Sequence, residues 1–526
     1  MITKHPDIIF IVLDTQRADR LGCYGYGKAV TPNLDRFAEQ STVFAQAISP
    51  AQWTIPSHAS MFTGLYPTTH QVTQASQSLS PSMPHLVELL QSADYQTVGF
   101  CNNPLVGILD NGFKRGFKTF YNYGGAIPSV PSSSTKVPWP LKRLSEGYTQ
   151  MLRRISYPIQ NFFGRSDLAF RISLNAWLTP LWSRFANFKG QNARSVRDIS
   201  RFLQQRDMEE AKRPLFLFLN LMETHLPFTP PAKQIDKVAP YFRHNRAARE
   251  LMNKWNREAY RWAAPLAAPL GELESRVLND MYDAEVAYQD DYLQQLFETL
   301  ENRHNRDNTL TIIVGDHGDG LGDHGFMGHA FVAYQELVHV PLIINWPRRL
   351  PKAGRVYTPV STRRVFHTML EAVDPLPEKM QVDPVQVRNL TLIYSAQGRD
   401  PEQGTAYSEV YAPLTFVKAI EKRQPELLAR HRCLSTRRAV VKFDAENTFK
   451  LIDIDGQAGE LFNLTSDTLE LENIYPSAPQ NAERLDRDLK RITAAVDAQK
   501  AGYVVGDAVE MDDALVQRLR GLGYLD

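Results

Sequence analysis

The run Ile8-Ile9-Phe10-Ile11-Val12-Leu13, stopped by Asp14-Thr15, decides the fold. Six successive apolar residues with no polar alternation describe a strand covered on both faces, as parallel sheets require. The polar stop falls where open α/β sheets present their functional groups, beyond the carboxyl ends of the strands. Runs of the same kind recur at 97–100, 215–219, 310–314 and 340–344, with helical patterns between them at 32–40, 85–92 and 273–300. This alternation predicts an α/β fold, a layered sheet flanked by helices. Stretches at about 125–190 and 230–265 lack strand punctuation and read as insertions. Beyond residue 355 the pattern changes to short strand-like pieces (439–443 and 449–454), a turn signal at Asp455-Gly456 and a helix over 481–499. The expected division is a large α/β domain over 1–355 and a smaller C-terminal α+β domain over 356–526.

Composition narrows the function. The chain has 526 residues, 43% hydrophobic, with 59 Lys+Arg against 58 Asp+Glu and a formal charge of +1. That balance excludes a generally basic nucleic-acid binder and an acidic, solvating chain. Three cysteines with no paired spacing argue against a disulfide framework or a structural zinc site. The apolar runs are too short for a signal-peptide core or a membrane span, so the expected location is the cytoplasm. Residues 136–190 depart from the average, with nine Lys/Arg against only Glu146 and Asp167, interleaved with ten Trp, Tyr and Phe. Two readings of this stretch stay open. One is an amphipathic element lying on an anionic membrane surface or covering an amphiphilic ester. The other is a helical lid whose aromatic side chains pack on the main domain. No motif of a nucleic-acid module accompanies it, and no nucleic-acid partner is expected.

The densest chemistry is Val314-Gly-Asp316-His317-Gly-Asp319-Gly-Leu-Gly-Asp323-His324-Gly-Phe-Met-Gly-His329, with three Asp and three His in fourteen residues from Asp316. An apolar strand runs straight into Asp316-His317, and the glycines let the backbone turn tightly behind them. Adjacent Asp and His at a broken strand end can serve one metal ion, and an oxygen–nitrogen donor set suits Mn or Zn better than Ca. The second feature is Trp53-Thr54-Ile-Pro56-Ser57-His58. Pro56 belongs in the first turn of a helix, and Thr54 is expected at its N-cap, beside backbone N–H groups that favour an anion.

With Asp14, Pro56-Ser57-x-x-Ser60-x-x-Thr63-Gly64 and Asp316-His317-Gly on the page, the sequence resembles the sulfatase family of the alkaline phosphatase superfamily. Asn220-Leu-Met-Glu-Thr-His225-Leu-Pro227, Pro32-Asn33-Leu34-Asp35, Asp290-Asp291-Tyr and Glu460-Leu461-Phe462-Asn463-Leu464 extend the resemblance along nearly the whole chain outside the insertions. It implies an alkaline-phosphatase-like sheet, ester hydrolysis of an anionic substrate, and one divalent metal ion held by Asp14, Thr54, Asp316 and His317. It also implies Thr54, His329, His225 and His58 as catalytic residues. Thr54 is the nucleophile, His329 and His225 contact the ester, and His58 stands where the family motif has Arg.

The departures carry as much information as the matches. Typical sulfatases place Cys or Ser at the Thr54 position and oxidise it to formylglycine, a route closed to the secondary alcohol of threonine. The Gly-Lys-Trp-His segment that grips sulfate is expected near Gly99-Phe-Cys-Asn102-Asn103, which has neither its Lys nor its His. A sulfate ester on threonine lacks the exit that a formylglycine hydrate provides, whereas a phosphate ester on threonine can be displaced by water or an alcohol. The sequence therefore favours a phosphoester or phosphodiester hydrolase or transferase. The alternatives are a sulfuric ester hydrolase working without formylglycine and an inactive homologue that binds anions.

Overall fold

The computed structural model describes residues 5–124, 189–208, 213–380, 382–444 and 446–509. Eight strands form the central sheet: β1 (Asp7–Leu13), β2 (Thr42–Phe44), β3 (Gln96–Cys101), β4 (Thr119–Asn122), β5 (Leu215–Leu221), β6 (Thr309–Gly315), β7 (Leu342–Asn345) and β8 (Gly354–Val356). Their order is β8-β2-β7-β6-β1-β5-β3-β4. Within it β7 runs antiparallel to both neighbours and the other pairs are parallel.

All seven residues of β1 are buried, as the unbroken apolar run requires. Ile8, Phe10 and Val12 enter the core that also holds Ile55, Ala59 and Phe62 of the helix Thr54–Thr63. Ile9, Ile11 and Leu13 enter the opposite core, against Val277, Met281 and Val286 of the long helix Glu272–Glu301. Successive strand side chains point to opposite faces, so one short run serves both layers.

The apolar run 340–344 does not form one strand. Pro341 has no N–H for a ladder bond, and the chain divides there. His339–Val340 pairs with Ala47–Ile48, while Leu342–Asn345 enters the central sheet. The stretch 230–265 folds as the helices Ala232–Val238 and Arg246–Arg257 and the turn Ala259–Ala263. Trp255 and Trp262, fully buried, join it to the core shared with the long helix. Two separated motifs meet on that helix: the Asp290 carboxylate accepts from Leu34 N (2.8 Å) and Asn33 N (3.1 Å), fixing the start of the helix Pro32–Glu39.

Beyond the central sheet, Thr405–Val410, Arg437–Asp444, Asn447–Ile454 and Gln457–Asn463 form an antiparallel sheet in chain order. The helix Pro479–Lys500 covers one face through Leu485, Leu489 and Val496, and Ala439, Val441 and Ile452 on the other face join the main core. The stretch 136–188 lies outside the described residues, and the readings made of it are not addressed by the fold. Lys189, at its end, is described and is not part of a solvated basic face. Its ammonium lies 2.5 Å from Glu285 Oε1 and 2.9 Å from the Glu223 carbonyl oxygen, all three residues being buried. No helix among the described residues is long and apolar enough to cross a membrane.

Candidate metal centre and active site

The adjacent ends of β1 and β6 place Asp14 beside Asp316-His317, because these strands pair in register from Asp7 with Thr309 to Leu13 with Gly315. The helix Thr54–Thr63 enters above them. Asp14, Asp316 and His317 each offer one ligand atom, and the three atoms lie within 4.8 Å of one another. Each carboxylate is anchored by one oxygen. Asp14 Oδ2 accepts from Asn103 Nδ2 at 2.5 Å, and Asp316 Oδ1 accepts from His317 N (2.9 Å) and Thr15 N (3.2 Å). The second oxygens, Asp14 Oδ1 and Asp316 Oδ2, are buried with no hydrogen-bond partner.

His317 Nδ1 donates to the Gly318 carbonyl oxygen at 2.8 Å, so Nε2 carries the lone pair. That nitrogen lies 3.2 Å from Thr54 Oγ1, 3.5 Å from Asp316 Oδ2 and 4.0 Å from Asp14 Oδ1. Two unpaired carboxylate oxygens, an imidazole lone pair and a hydroxyl converge in a buried space. Leaving such groups unpaired is expensive, and a divalent ion satisfies all of them. The electrostatics agree. Burial, with the neighbouring Asp14, pushes the Asp316 carboxyl well above the usual range, and burial pushes Asp14 up to about 6. Burial, with His329 nearby, holds His317 well below the usual imidazole range. The cluster thus lacks a positive charge of its own, and its O/N donor set is equipped for a divalent ion.

The structure corrects the expected place of Thr54 in its helix. The N-cap is Trp53, extended at φ −149° with no side-chain acceptor, and Thr54 is already helical. Its hydroxyl meets His317 rather than the helix N–H groups. The expectation for His58 also needs refinement. His58 Nδ1 donates to the Thr54 carbonyl oxygen at 3.0 Å and reaches Asp316 Oδ2 only at 3.4 Å, so it braces the Thr54 backbone, not its hydroxyl. Burial holds its imidazole down at about 4, a neutral ring among Phe62, Phe113 and Phe218.

His225 and His329 lie together, ring centroids 5.3 Å apart, and His329 lies 4.5 Å from the His317 ring. His225 Nδ1 donates to the Leu226 carbonyl oxygen at 2.9 Å, and burial with His329 lowers its pKa to about 3. His329 Nδ1 lies 2.9 Å from Asp319 Oδ1, which orients the ring. Asp323 and His324 face away from this cluster: Asp323 pairs with Arg17 at 2.8 Å, and His324 Nδ1 with Glu336 at 2.9 Å. Asp19 also pairs with Arg17. Residues that the motifs do not single out complete the surroundings. Thr15, a β-branched residue at φ 57°, turns the chain so that its N–H meets Asp316, and its hydroxyl bonds the Asp14 carbonyl oxygen at 2.7 Å. Thr224 Oγ1 donates to the same carbonyl at 2.6 Å.

A model of the sulfatase family matches residues 6–375, well over half of the chain. The chain belongs to the sulfatase family. Among relatives, it is 24% identical over 380 residues to the uncharacterized sulfatase YidJ of Escherichia coli K12, covering 70% of this chain and 68% of that one. It is 21% identical over 513 residues to an arylsulfatase of Clostridium perfringens, covering 95% and 96%. In structure it resembles the phosphonate monoester hydrolase of Agrobacterium radiobacter, with a TM-score of 0.61 at 19% identity over 94% of this chain and 96% of the other. The alkaline-phosphatase-like α/β architecture and hydrolysis as the reaction class are thereby established for this sulfatase-family chain. Divalent-metal binding is general in the sulfatase family, and the buried Asp14–Asp316–His317 group is equipped for it.

Proposed function

We propose that the protein is a metal-dependent phosphoester or phosphodiester hydrolase or transferase with Thr54 as its nucleophile. One observation carries the reading: a threonine hydroxyl, closed to formylglycine chemistry, stands 3.2 Å from His317 Nε2 within the Asp14–Asp316–His317 cluster. Asp14, Asp316, His317 and Thr54 would hold the ion. A divalent ion bound there would lower the pKa of the hydroxyl and offset charge on a non-bridging phosphoryl oxygen.

The remaining steps belong to the protein's side chains. Thr54 Oγ attacks phosphorus after its hydroxyl proton has passed to solvent water, the ester P–O bond breaks, and the alcohol leaves with a proton. His329, oriented by Asp319, is placed to supply that proton. Water or an acceptor alcohol then attacks phospho-Thr54 and gives its proton back to His329, the P–Oγ bond breaks, and Thr54 Oγ regains a proton from solvent. His225 holds Nδ1–H on the Leu226 carbonyl, and the resulting tautomer accepts a proton at Nε2. His58 keeps the Thr54 backbone in place through its carbonyl.

Sulfate ester hydrolysis is the competing reading, supported by similarity to the arylsulfatase of Clostridium perfringens. The intact donor set speaks against an inactive anion-binding homologue. The test is Thr54→Ala assayed on phosphate monoesters, phosphate diesters and sulfate monoesters, with mass spectrometry of the wild type after a slow phosphodiester. The expected outcome is a loss of at least ~10³-fold in turnover, with about 1 kcal/mol of stability lost with the buried hydroxyl, and a phosphorylated Thr54 in the wild type. Turnover confined to sulfate esters, or retained by the Ala variant, overturns the proposal.

A further inference from the structure

Asn103 stands at the end of β3, in the region where the family resemblance places a sulfate-gripping lysine. Its side chain is fully buried, and both ends of its amide are hydrogen-bonded. Oδ1 accepts from Leu105 N at 2.8 Å, capping the turn Pro104–Gly107, and this fixes which way the amide faces. Nδ2 is thereby directed at Asp14 Oδ2, 2.5 Å away. The Asn103 backbone N–H donates to Asn220 Oδ1 at 3.1 Å. That contact fixes the second amide in turn, and Asn220 Nδ2 faces His58 Nε2 at 3.4 Å. With Nε2 an acceptor, His58 Nδ1 carries the proton that it donates to the Thr54 carbonyl oxygen. The two asparagines therefore form one side of a belt from Asp14 through Asn103, Asn220 and His58 to the backbone of Thr54.

We infer that Asn103 is a positioning residue for the metal centre: it grips the rear oxygen of Asp14 and so aims the other at the ion, in place of contacting the ester. The inference rests on the ligand set proposed above. Asn103 Nδ2 sits on Asp14 Oδ2 at 2.5 Å, and a carboxylate with one oxygen engaged presents a single defined lone-pair face to a cation. Asn220 supports this by keeping the Asn103 backbone in register with β5, from which it projects. A purely structural asparagine would serve the cap on Leu105 alone. The donor on Asp14 is a separate function of the same side chain, and the two can be separated by mutation.

Asn103→Ser separates them. Serine accepts from Leu105 N as a cap but is too short to reach Asp14. Purified protein is stripped with a chelator and titrated with Mn²⁺ by calorimetry, and the melting of the metal-free forms is recorded alongside. The expected result is a Mn²⁺ dissociation constant weakened about 10- to 100-fold in the serine variant, with metal-free melting within a few degrees of wild type. Asn103→Ala, which removes cap and donor together, should show the same loss of affinity plus a lower melting temperature. Unchanged Mn²⁺ affinity in Asn103→Ser overturns the positioning role alone and leaves the ligand set standing. A wild-type chain that binds no Mn²⁺ overturns both.

Discussion

His324 has an acceptor at each ring nitrogen, the Glu336 carboxylate at Nδ1 (2.9 Å) and the Glu470 carbonyl oxygen at Nε2 (3.1 Å). Only the doubly protonated ring satisfies both. Burial works against that charge, but Glu336 outweighs it and the pKa rises to about 9. The stability it contributes is complete below the unfolded value of about 6.5 and is lost as pH rises through 9. His324→Phe keeps the ring stacked on Tyr334, 3.9 Å away, and loses the charge. The expected outcome is a destabilisation of about 2 kcal/mol at pH 6, after allowance for solvent screening, that shrinks towards pH 10 in urea titrations. A penalty independent of pH would contradict the charged ring. The residue scale also shows what a sequence can disclose. Asp14, Thr54, Asp316 and His317 are legible because each stands at the end of an apolar run or in a dense polar motif. Asn103 is not, because its meaning lies in a partner 89 positions away. In the sequence it registers only as the absence of a lysine.

At the scale of elements, the loop that follows β6 is held from outside by backbone. Its small hairpin pairs Gly320–Leu321 with Met327–Gly328. Leu266 N donates to the Gly325 carbonyl oxygen at 2.7 Å, and Pro265 bridges to Phe326. Gly328, at φ 66°, packs so closely that an added Cβ would lie 1.7 Å from the Trp262 carbonyl oxygen. Gly328→Ala is therefore expected to push the 259–266 segment off this loop, displacing His329 beside it. The expected result is a loss of several kcal/mol of stability together with most turnover, read by urea titration and by the substrate panel. Wild-type behaviour would show that the segment yields freely. The central strands were readable because double burial demands uninterrupted apolar runs. The docking was not, since it uses main-chain groups that every residue type possesses. The edge strand β4, Thr-Phe-Tyr-Asn with only Tyr121 buried, lacks the apolar run of a central strand. The division at Pro341 was open to reading from the proline alone, but the sheet that each half joins depends on the tertiary fold.

For the whole molecule, the two unpaired carboxylate oxygens predict that metal content is coupled to folding. An ion that binds only the folded chain stabilises it by about 2.7 kcal/mol at a free concentration near 100 times its dissociation constant. Urea unfolding in Mn²⁺ and in EDTA should differ by about this amount, and identical curves would argue against a site at Asp14, Asp316 and His317. The path of the chain adds a consequence for its synthesis. β1 is made well before its partners in the sheet, which begin at Leu215 and Thr309. During synthesis its apolar residues therefore wait, unpaired, for about two hundred further residues at least, a long-range pairing of the kind that folds slowly and exposes sticky surface. Asp14 and Thr54 likewise wait for His317, so no ion can template the early fold. The nascent chain must shelter β1 by other means, and the Asp14–Asp316–His317 cluster is complete only once His317 has been made.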